Sequence, residues 1–311
     1  MNRKTARDYT GQFLSWAAST LTITLCLGII VYLFVQGYKQ IHPDFILTAP
    51  NPTFDEKASG GISTPILGTF ILTFIGILFA FPWALATSIY LVEYAKKNFL
   101  TSYFRLGIDV LAGIPTIVIA IFGLAIFSNP HLGFLSSMVE GIEGPNKAFG
   151  RSFIVAGITM AIMVIPFIIK TCEEAIKAVP NSYREGSLAM GASKWHTITK
   201  IILPSAKSGI ITGVILGIGR IIGDTAIVWL TLGGTIRMTG TQPWFLPQNW
   251  LSTLKNTGST LTSYIYFTSP AGEGNMTEKA FGASFVLIVI IILLNLFAGF
   301  LNRNRKIIKE E

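Results

Sequence analysis

An arginine and an aspartate lie deep within one apolar stretch of this sequence. The stretch runs from Gly209 to Ala226 and carries Arg220 and Asp224 four positions apart. That spacing predicts that the two side chains share one face of a helix. A charge near the middle of a bilayer costs about 2.5–3.5 kcal/mol, so such a residue must face a partner or a watery cavity. A guanidinium there is suited to binding an oxyanion, because its donors form a planar fork and it stays charged at any working pH.

Two interpretations of this pair remain open. In the first, Arg220 binds a passing anion, and Asp224 holds the guanidinium when no anion is present, which keeps binding weak enough for release. In the second, the two residues form a structural ion pair that never touches a substrate. The next residue, Thr225, carries a hydroxyl that could donate to an anion. Threonine in a membrane helix more often donates back to a helix carbonyl, which is the alternative role.

The composition indicates that a membrane surrounds these residues. Of the 311 residues, 51% are hydrophobic and 13% are charged, whereas soluble proteins carry about 25% charged residues. The mean hydropathy is +0.58. A helix needs about 20 apolar residues to cross a bilayer, and six stretches qualify: 14–35, 66–92, 106–127, 153–169, 208–232 and 281–301. We therefore predict an all-α integral membrane protein with six transmembrane helices, in which one domain (14–301) lies between an N-terminal arm (1–13) and a basic tail (302–311).

The distribution of basic residues predicts the orientation. Sixteen Lys and Arg residues lie in four segments on one side: the arm, the 94–105 loop, the 170–207 loop and the tail. Seven lie in the segments on the other side. Basic residues favour the cytoplasm, so we predict that both termini and the 170–207 loop are cytoplasmic. The net charge of +8 is then a topology signal, and because it is dispersed among short segments we predict no nucleic-acid partner.

Several local features give further expectations. Pro82, Pro115 and Pro166 predict kinks within the second, third and fourth spans. Asp109 follows Arg105 by one helical turn, which favours an ion pair between them. The two cysteines lie in different parts of the chain, one within a span and one beside the 170–207 loop, so no disulfide framework is indicated.

The predicted outside loop, 233–280, is long and rich in aromatic residues. It contains Trp244, Trp250, Tyr264 and Tyr266 among Gly, Pro and Thr. Long loops are often functional, so docking of an external partner is one interpretation. Aromatic residues lying at the membrane interface are the other.

The cytoplasmic loop between the fourth and fifth spans has the pattern of a helical hairpin. Ser182 and Glu185 have the S-x-x-E spacing of a capping box, which predicts a helix that starts there. Gly191 can take the left-handed conformation that ends this helix, and Ser193 can cap a second helix that Pro204 stops. The result is two short helices joined by a glycine corner on the water side of the membrane, a shape that predicts a docking surface.

This hairpin resembles the coupling loop of type I ABC importer permeases. The pattern E-A-A-x3-G-x9-I-x-L-P is matched by Glu185, Gly191, Ile201, Leu203 and Pro204, with Gly186 and Ser187 in place of the alanines. The resemblance implies a MetI-like bundle whose loop sits in a separate ATPase. The coupling residues that it implies are Glu185, Gly191, Ala192, Ser193, Lys194, Trp195, Leu203 and Pro204.

Further motifs resemble the phosphate-specific permeases of the PstA type. They are Gly60-Gly61-Ile62, Ile66-x-Gly68-Thr69, the run from Tyr90 to Ala95 and the run from Leu111 to Val118. The G-R-x-x-G-E-T motif of that family is matched by the run from Gly219 to Thr225, with Asp224 in place of the glutamate. Aspartate reaches about one methylene less, which puts a direct contact between Arg220 and Asp224 in question.

The resemblance implies a function and a set of partners. The chain would be a permease subunit of an ATP-driven inorganic phosphate importer and form half of the translocation path. Its partners would be a PstC-like second permease, a PstB-like ATPase dimer, an external PstS-like phosphate-binding protein and the lipid bilayer of a bacterial or archaeal cell membrane. Two alternatives stay open: a permease for another oxyanion such as sulfate or molybdate, and a non-transporting membrane scaffold or sensor.

The fifth span contains two spaced glycine pairs, and the sequence lacks catalytic motifs. Gly213 with Gly217, and Gly219 with Gly223, have the G-x-x-x-G spacing that lets membrane helices approach closely. We therefore predict that the fifth span packs against its counterpart in a second permease. The sequence has no G-x-x-x-x-G-K-[ST] phosphate loop, and its three histidines lie in different loops. We predict no catalysis, metal or cofactor in this chain, with ATP used by the separate ATPase.

Overall fold

The computed structural model describes residues 3–51, 59–96, 98–137, 149–236 and 238–303. Over these ranges the chain is helical, with no strand beyond one isolated bridge between Pro50 and Gly60. The prediction of an all-α protein is confirmed. The helices are α1 (Arg3–Gly37), α2 (Pro43–Leu47), α3 (Ser63–Ile89), α4 (Phe99–Gly113), α5 (Thr116–Phe127), α6 (Phe153–Lys177), α7 (Asn181–Ala189), α8 (Lys194–Thr197), α9 (Leu203–Gly223), α10 (Trp250–Lys255), α11 (Leu261–Thr268) and α12 (Thr277–Arg303).

Shorter helical segments connect or extend these helices. In the described ranges, three π-helical turns cover Tyr90–Tyr94, Ile198–Ile202 and Val228–Leu232. Three 3₁₀ turns cover Tyr38–Gln40, Pro130–Leu135 and Pro247–Asn249. Because one π turn extends α3 and another leads into α9, these two continuous helices are longer than their α-helical parts.

Within the described residues, five helices are long and apolar enough to cross a membrane. They are Asp8–Gln40, Ser63–Tyr94, Phe153–Lys177, Lys194–Gly223 and Thr277–Phe297. The bent pair of α4 and α5 makes a sixth if it counts as one span. The first, second, fourth and sixth predicted spans each fall on a continuous helix. The third and fifth differ from prediction.

The predicted third span, 106–127, is broken between α4 and α5, whose axes differ by 100°. Pro115 explains the break, since proline has no N–H to donate and disfavours helical backbone at the residue before it. Ile114 is accordingly extended, with φ −70° and ψ 130°. By contrast, Pro82 and Pro166 lie inside continuous helices. A kink was the expectation for all three prolines, and at Pro115 the outcome is a full break.

The predicted fifth span, 208–232, has different ends in the structure. The helix begins earlier, at Lys194, because α8, a π turn and α9 are continuous. It ends at Gly223, so the predicted span is interrupted before its last turns. Pro204, predicted to stop the second hairpin helix, lies instead in the first turn of α9. Proline is tolerated there because it follows the π turn Ile198–Ile202, where the regular hydrogen-bond ladder of the helix is already interrupted.

The centre of the bundle is α6, which packs against α3, α5 and α9. Its fully buried side chains include Phe153, Met160, Met163, Ile168 and Ile176. Close packing is possible because small residues face large ones: Gly157 of α6 lies directly against Ile75 of α3. The core therefore brings the second, fourth and fifth spans together around one helix.

The first helix lies apart from this core. No part of the apolar window of α1 is buried, and α1 approaches α12 where Gly37 lies against Phe281 and Phe285. The arm predicted at 1–13 is, from Arg3, part of this helix. In the tail predicted at 302–311, residues 304–311 lie outside the described part of the chain. The domain division and the orientation remain predictions.

Two ion pairs tie α4 to α6. Arg105 Nη1 lies 2.7 Å from Glu173 Oε2, and Lys170 Nζ lies 2.7 Å from Asp109 Oδ1. The predicted pair between Arg105 and Asp109 is therefore wrong. Each residue has a partner on the neighbouring helix, so tertiary packing overrides the local four-residue spacing.

In its described residues, the predicted outside loop, 233–280, folds back onto the bundle. Within it, α11 packs against α12 and α3, and the Leu261 N–H donates to the Thr69 hydroxyl at 2.9 Å. Tyr264 is only 3% exposed, so neither partner docking nor an interfacial position accounts for it. Trp250 is exposed, and both interpretations remain open for that residue.

Candidate functional site

Arg220 lies in the last turn of α9 and faces α6. Its guanidinium carbon is 3.9 Å from the centre of the Phe167 ring, a stacking that attracts a cation to an aromatic face. The residue is half-buried, and its Nε makes no hydrogen bond within the described residues. Buried donors are normally paired. The arginine is therefore held by an aromatic ring and retains donor capacity for an acceptor.

Asp224 lies just beyond the end of α9, where the backbone leaves the helix. Its φ and ψ are −83° and 129°, and its Oδ1 accepts a hydrogen bond from the Ile227 N–H at 2.8 Å. This is the capping role that short acidic side chains prefer. The prediction that Arg220 and Asp224 share one helical face is wrong, because no helix connects them. Among the described residues, the side-chain ion pairs do not include these two.

The residue that follows, Thr225, does not have the expected bond to a helix carbonyl. Its hydroxyl makes no hydrogen bond within the described ranges, and its own carbonyl accepts from the Trp229 N–H at 2.9 Å. Across the break, α5, which begins at Thr116, packs against the π turn Val228–Leu232 that follows Asp224. The breaks in the third and fifth spans therefore meet. In membrane proteins, non-helical backbone is tolerated where it is buried in protein or lines a cavity.

The hairpin between α6 and α9 has the predicted glycine corner. Gly191 takes a left-handed conformation with φ +80°, and Ser193 caps α8 by accepting from the His196 N–H at 3.2 Å. The capping box predicted for Ser182 and Glu185 is wrong. Helix α7 begins one residue earlier, at Asn181 after Pro180, with no side-chain cap. Ser182 therefore lies inside the first turn and cannot cap it.

The hairpin presents an exposed surface that combines charged and apolar groups. Of the predicted coupling residues, Glu185, Gly191, Ser193, Lys194, Trp195 and Pro204 are exposed, while Ala192 and Leu203 are half-buried. Large apolar side chains are exposed beside them: Tyr183, Leu188, Met190 and Trp195. Met190 is 88% exposed. Exposed apolar clusters rimmed by polar residues mark protein interaction sites.

One buried ion pair on this hairpin was missed by the sequence analysis. Arg184 of α7 reaches Glu93, in the π turn that ends the second span, with 2.9 Å between Nη2 and Oε1. Glu93 is in a motif that was recognised, and Arg184 is in the hairpin. The two residues are 91 positions apart, and nothing in the linear sequence connects them.

Residues 76–306 match the family of binding-protein-dependent transport system inner membrane components. The chain belongs to this family. It is thus a multi-pass membrane permease subunit of the type I ABC importer class. The matched residues include the hairpin, both broken spans and Arg220.

Three relatives illustrate the similarity of this permease to known proteins. The probable ABC transporter permease protein YqgI of Bacillus subtilis is 31% identical over 305 residues, which cover 97% of this chain and 96% of that protein. The phosphate transport system permease protein PstA 1 of Mycobacterium tuberculosis is 30% identical over 246 residues, or 78% of this chain and 70% of that protein. The phosphate transport system permease protein PstC of Xylella fastidiosa is 34% identical over 190 residues, or 58% of each chain.

Solved structures show the same fold. A chain of a bacterial ABC transporter that imports the acidic polysaccharide alginate superposes with a TM-score of 0.63 at 17% identity, covering 97% of this permease and 99% of that chain. A chain of the inward-facing MetNI methionine transporter gives a TM-score of 0.56 at 17% identity, covering 77% and 94%. At such identities the likeness concerns the fold alone, and it confirms the MetI-like bundle.

The two glycine pairs of the permease lie on different faces of α9. A side chain at Gly213 would meet Thr171 at 3.1 Å, and one at Gly217 would meet Ile168 at 3.0 Å, both on α6. At Gly219 and Gly223 nothing lies within 4 Å. The first pair is therefore used inside the chain, contrary to the expectation of contact with a second subunit. The second pair is on an open face.

We expect Gly213→Leu and Gly219→Leu to have opposite effects on the stability of the permease itself. At Gly213 the larger side chain overpacks the contact with α6, which costs about 1–3 kcal/mol. At Gly219 nothing is displaced, and loss of a helical glycine gains about 0.8–1 kcal/mol. Thermal unfolding of the purified chain in detergent measures both. Equal destabilisation by the two variants would contradict the assignment of faces.

The corner glycine gives a second matched pair, Gly191→Val and Gly186→Ala. Neither position has a neighbour within 4 Å of an added side chain, so the effects come from the backbone. Valine at φ +80° is strained by about 1–2 kcal/mol, whereas alanine inside α7 stabilises by about 0.8–1 kcal/mol. We expect amide hydrogen exchange in α7 and α8 to accelerate in the first variant and to slow in the second. Unchanged exchange in Gly191→Val would be inconsistent with a hairpin that depends on this corner.

Proposed function

We propose that this permease is a subunit of an ATP-driven inorganic phosphate importer and forms half of its translocation path. One observation carries the proposal: Arg220 lies beside a break in the fifth span, with a buried Nε that has no hydrogen-bond partner among the described residues. A guanidinium donates in pairs to phosphate oxygens. Two of the relatives described above, PstA 1 and PstC, are named phosphate transport system permeases, which supports phosphate as the ion.

A translocation site must release its ion as well as bind it. In this conformation Phe167 lies under the guanidinium of Arg220, and such stacking stabilises a cation by about 0.5–2 kcal/mol. The ring can therefore hold the arginine when no anion is bound, the task first considered for Asp224. Asp224, by contrast, caps the turn beyond the break through the Ile227 N–H. Thr225, whose hydroxyl makes no hydrogen bond within the described residues, would donate to an anion next to Arg220.

The open face of α9 is where we place the rest of the path. Gly219 and Gly223 are on this face, where an added side chain would meet nothing within 4 Å in the described chain. Arg220 is half-buried against Phe167 of α6, beside this face. A second, PstC-like permease that packs on the glycines would enclose the ion between the two subunits. Small residues suit this role, because they allow helices to approach closely.

The energy would come from a PstB-like ATPase dimer seated on the hairpin. The exposed side chains of Tyr183, Leu188, Met190 and Trp195 supply the apolar contact area for such docking. ATP would be bound and used by that partner, and an external PstS-like protein would deliver phosphate from the opposite side. We place the complex in the cell membrane of a bacterium or an archaeon.

The proposal is tested by the ATPase activity of the complex in lipid nanodiscs. The binding protein is added empty or loaded with phosphate, sulfate or molybdate. We expect the phosphate-loaded form to stimulate ATP hydrolysis above the level with the empty form. Stimulation by sulfate or molybdate alone would indicate a permease for another oxyanion. No stimulation by any of them, with the complex intact, would favour a non-transporting scaffold or sensor.

A further inference from the structure

The coupling hairpin is held to the second span by a buried ion pair. Arg184 of α7 approaches Glu93 with two nitrogens: Nη2 lies 2.9 Å and Nε 3.1 Å from Glu93 Oε1. The side chains are 18% and 7% exposed, respectively. Loss of one partner leaves the other as an uncompensated charge. This is costly because water screens such a buried charge only weakly.

The same arginine also holds the end of the fourth span. Its Nη1 donates to the Val179 carbonyl at 2.6 Å, and its Nη2 donates to the Ile176 carbonyl at 2.9 Å. Ile176 is in the last turn of α6 and Val179 lies just after its end, where backbone carbonyls need partners beyond the regular helix bonds. Arg184 therefore joins three elements: α7, the end of α6 and the π turn after α3.

The second hairpin helix contacts the same π turn. Lys194, the first residue of α8, donates to the Glu93 carbonyl, and its Nζ lies 4.7 Å from the centre of the Tyr94 ring. Both hairpin helices thus hold the turn Tyr90–Tyr94. π-helical turns occur frequently at functional sites, and here the turn lets Glu93 face the hairpin.

We propose that Glu93 is a positioning residue that fastens the coupling hairpin to the second span. The fourth and fifth spans are covalently continuous with the hairpin, whereas the second span has no such connection. Through Glu93 and Arg184, displacement of the hairpin by the ATPase moves α3 together with α6 and α9. This role rests on the proposed function of the hairpin as the ATPase-coupling element.

The variant Glu93→Gln separates this role from simple folding. Glutamine keeps the size of the side chain and an acceptor oxygen, while Arg184 keeps its two carbonyl partners, one in the last turn of α6 and one just after it. The hairpin therefore stays attached to the fourth span, and only its link to the second span is weakened. Asp109→Asn is the matched control. It removes a carboxylate from an ion pair with Lys170, whose side chains are 49% and 58% exposed and which does not touch the hairpin.

The first readout is the number of phosphate ions imported per ATP hydrolysed in sealed vesicles. We expect Glu93→Gln to lower this ratio by about tenfold or more, because a buried charge is left without its partner, with ATP hydrolysis retained. The Asp109→Asn control keeps the wild-type ratio, since exposed ion pairs contribute little. A wild-type ratio in Glu93→Gln, or a parallel loss of hydrolysis and import with the complex assembled, would overturn the proposal.

The second readout does not depend on the transported ion. Spin labels at the exposed residues Tyr90 and Ser182 report the distance between the second span and α7, with and without ATP bound by a hydrolysis-deficient ATPase. We expect one unchanged distance in the wild type and a second, ATP-dependent distance in Glu93→Gln. If both proteins keep a single distance, the proposed role of Glu93 in fastening the hairpin to the second span is refuted, even where the wild type imports phosphate. If the wild type imports no phosphate but Glu93 still maintains the distance between the second span and α7, the proposed phosphate transport fails and the role of Glu93 stands.

Discussion

Replacement of Arg220 by glutamine is expected to lower phosphate uptake by at least about a hundredfold, because hydrogen bonds to a charged group contribute about 1.5–3 kcal/mol each. Glutamine keeps a planar amide that can lie on the Phe167 ring, so packing against α6 is largely retained. The loss therefore reports the charge and the paired donors. The measurement is uptake of labelled phosphate by vesicles that hold the assembled complex, with ATP hydrolysis recorded in the same sample.

A second arginine gives the control for this prediction. Arg151 also lies over a phenylalanine, with its guanidinium carbon 5.3 Å from the centre of the Phe149 ring, but it is not in the fifth span. We expect Arg151→Gln to leave uptake near the wild-type level. If Arg220→Gln also transports normally, Arg220 has a structural role, and the path must be sought elsewhere in the bundle.

The second large effect is expected at the tip of the hairpin, where Trp195→Asp should abolish stable binding of the ATPase. Trp195 is 61% exposed in the isolated chain. Aromatic residues that become buried at an interface contribute about 2 kcal/mol or more, and an unpaired carboxylate in an apolar contact adds a desolvation cost. Affinity should therefore fall by more than about thirtyfold. Co-purification and titration of the detergent-solubilised permease with the ATPase measure this loss.

Trp250→Asp is the matched variant for the hairpin prediction. Trp250 is similarly exposed, at 57%, but it lies in the loop predicted on the opposite side of the membrane. We expect its replacement to leave ATPase binding unchanged. If Trp195→Asp binds the ATPase as tightly as the wild type, the hairpin tip is not the docking surface.

Local chemistry explains which parts of the hairpin the sequence predicts. The corner at Gly191 needs a positive φ, and the cap at Ser193 needs only one nearby N–H, so both follow from a few adjacent residues. The capping box at Ser182 fails because Pro180 sets the start of α7 one residue earlier. The stop at Pro204 fails because a π turn carries the helix through to α9. These two errors come from competition between neighbouring signals of similar strength.

The breaks in the spans are harder to predict, since apolar composition is the same on both sides of each break. Pro115 interrupts its span, yet Pro166 lies in a continuous helix whose surroundings are buried. The residue type alone does not decide between kink and break. At Asp224 the aspartate leaves the helix and caps the next turn, so the four-residue spacing from Arg220 gives the wrong geometry. Tertiary packing determines both outcomes.

Long-range ion pairs are the features that the sequence analysis could not provide. Arg105 and Asp109 have the spacing of a local pair, and each pairs instead with α6. Glu93 and Arg184 are 91 positions apart, and they meet only because the hairpin folds under the end of the second span. The sequence shows which helical residues are charged and so require a partner. The fold determines which partner each of them has.

The most direct test of ATP-driven phosphate import is accumulation of labelled phosphate in sealed vesicles. The vesicles contain this chain, a second permease and the ATPase, with ATP on the ATPase side and binding protein on the other. We predict that phosphate accumulates above its outside concentration only with ATP and all subunits present, and that excess sulfate does not compete. An intact complex that hydrolyses ATP without accumulating phosphate, or that accumulates sulfate instead, would contradict the account.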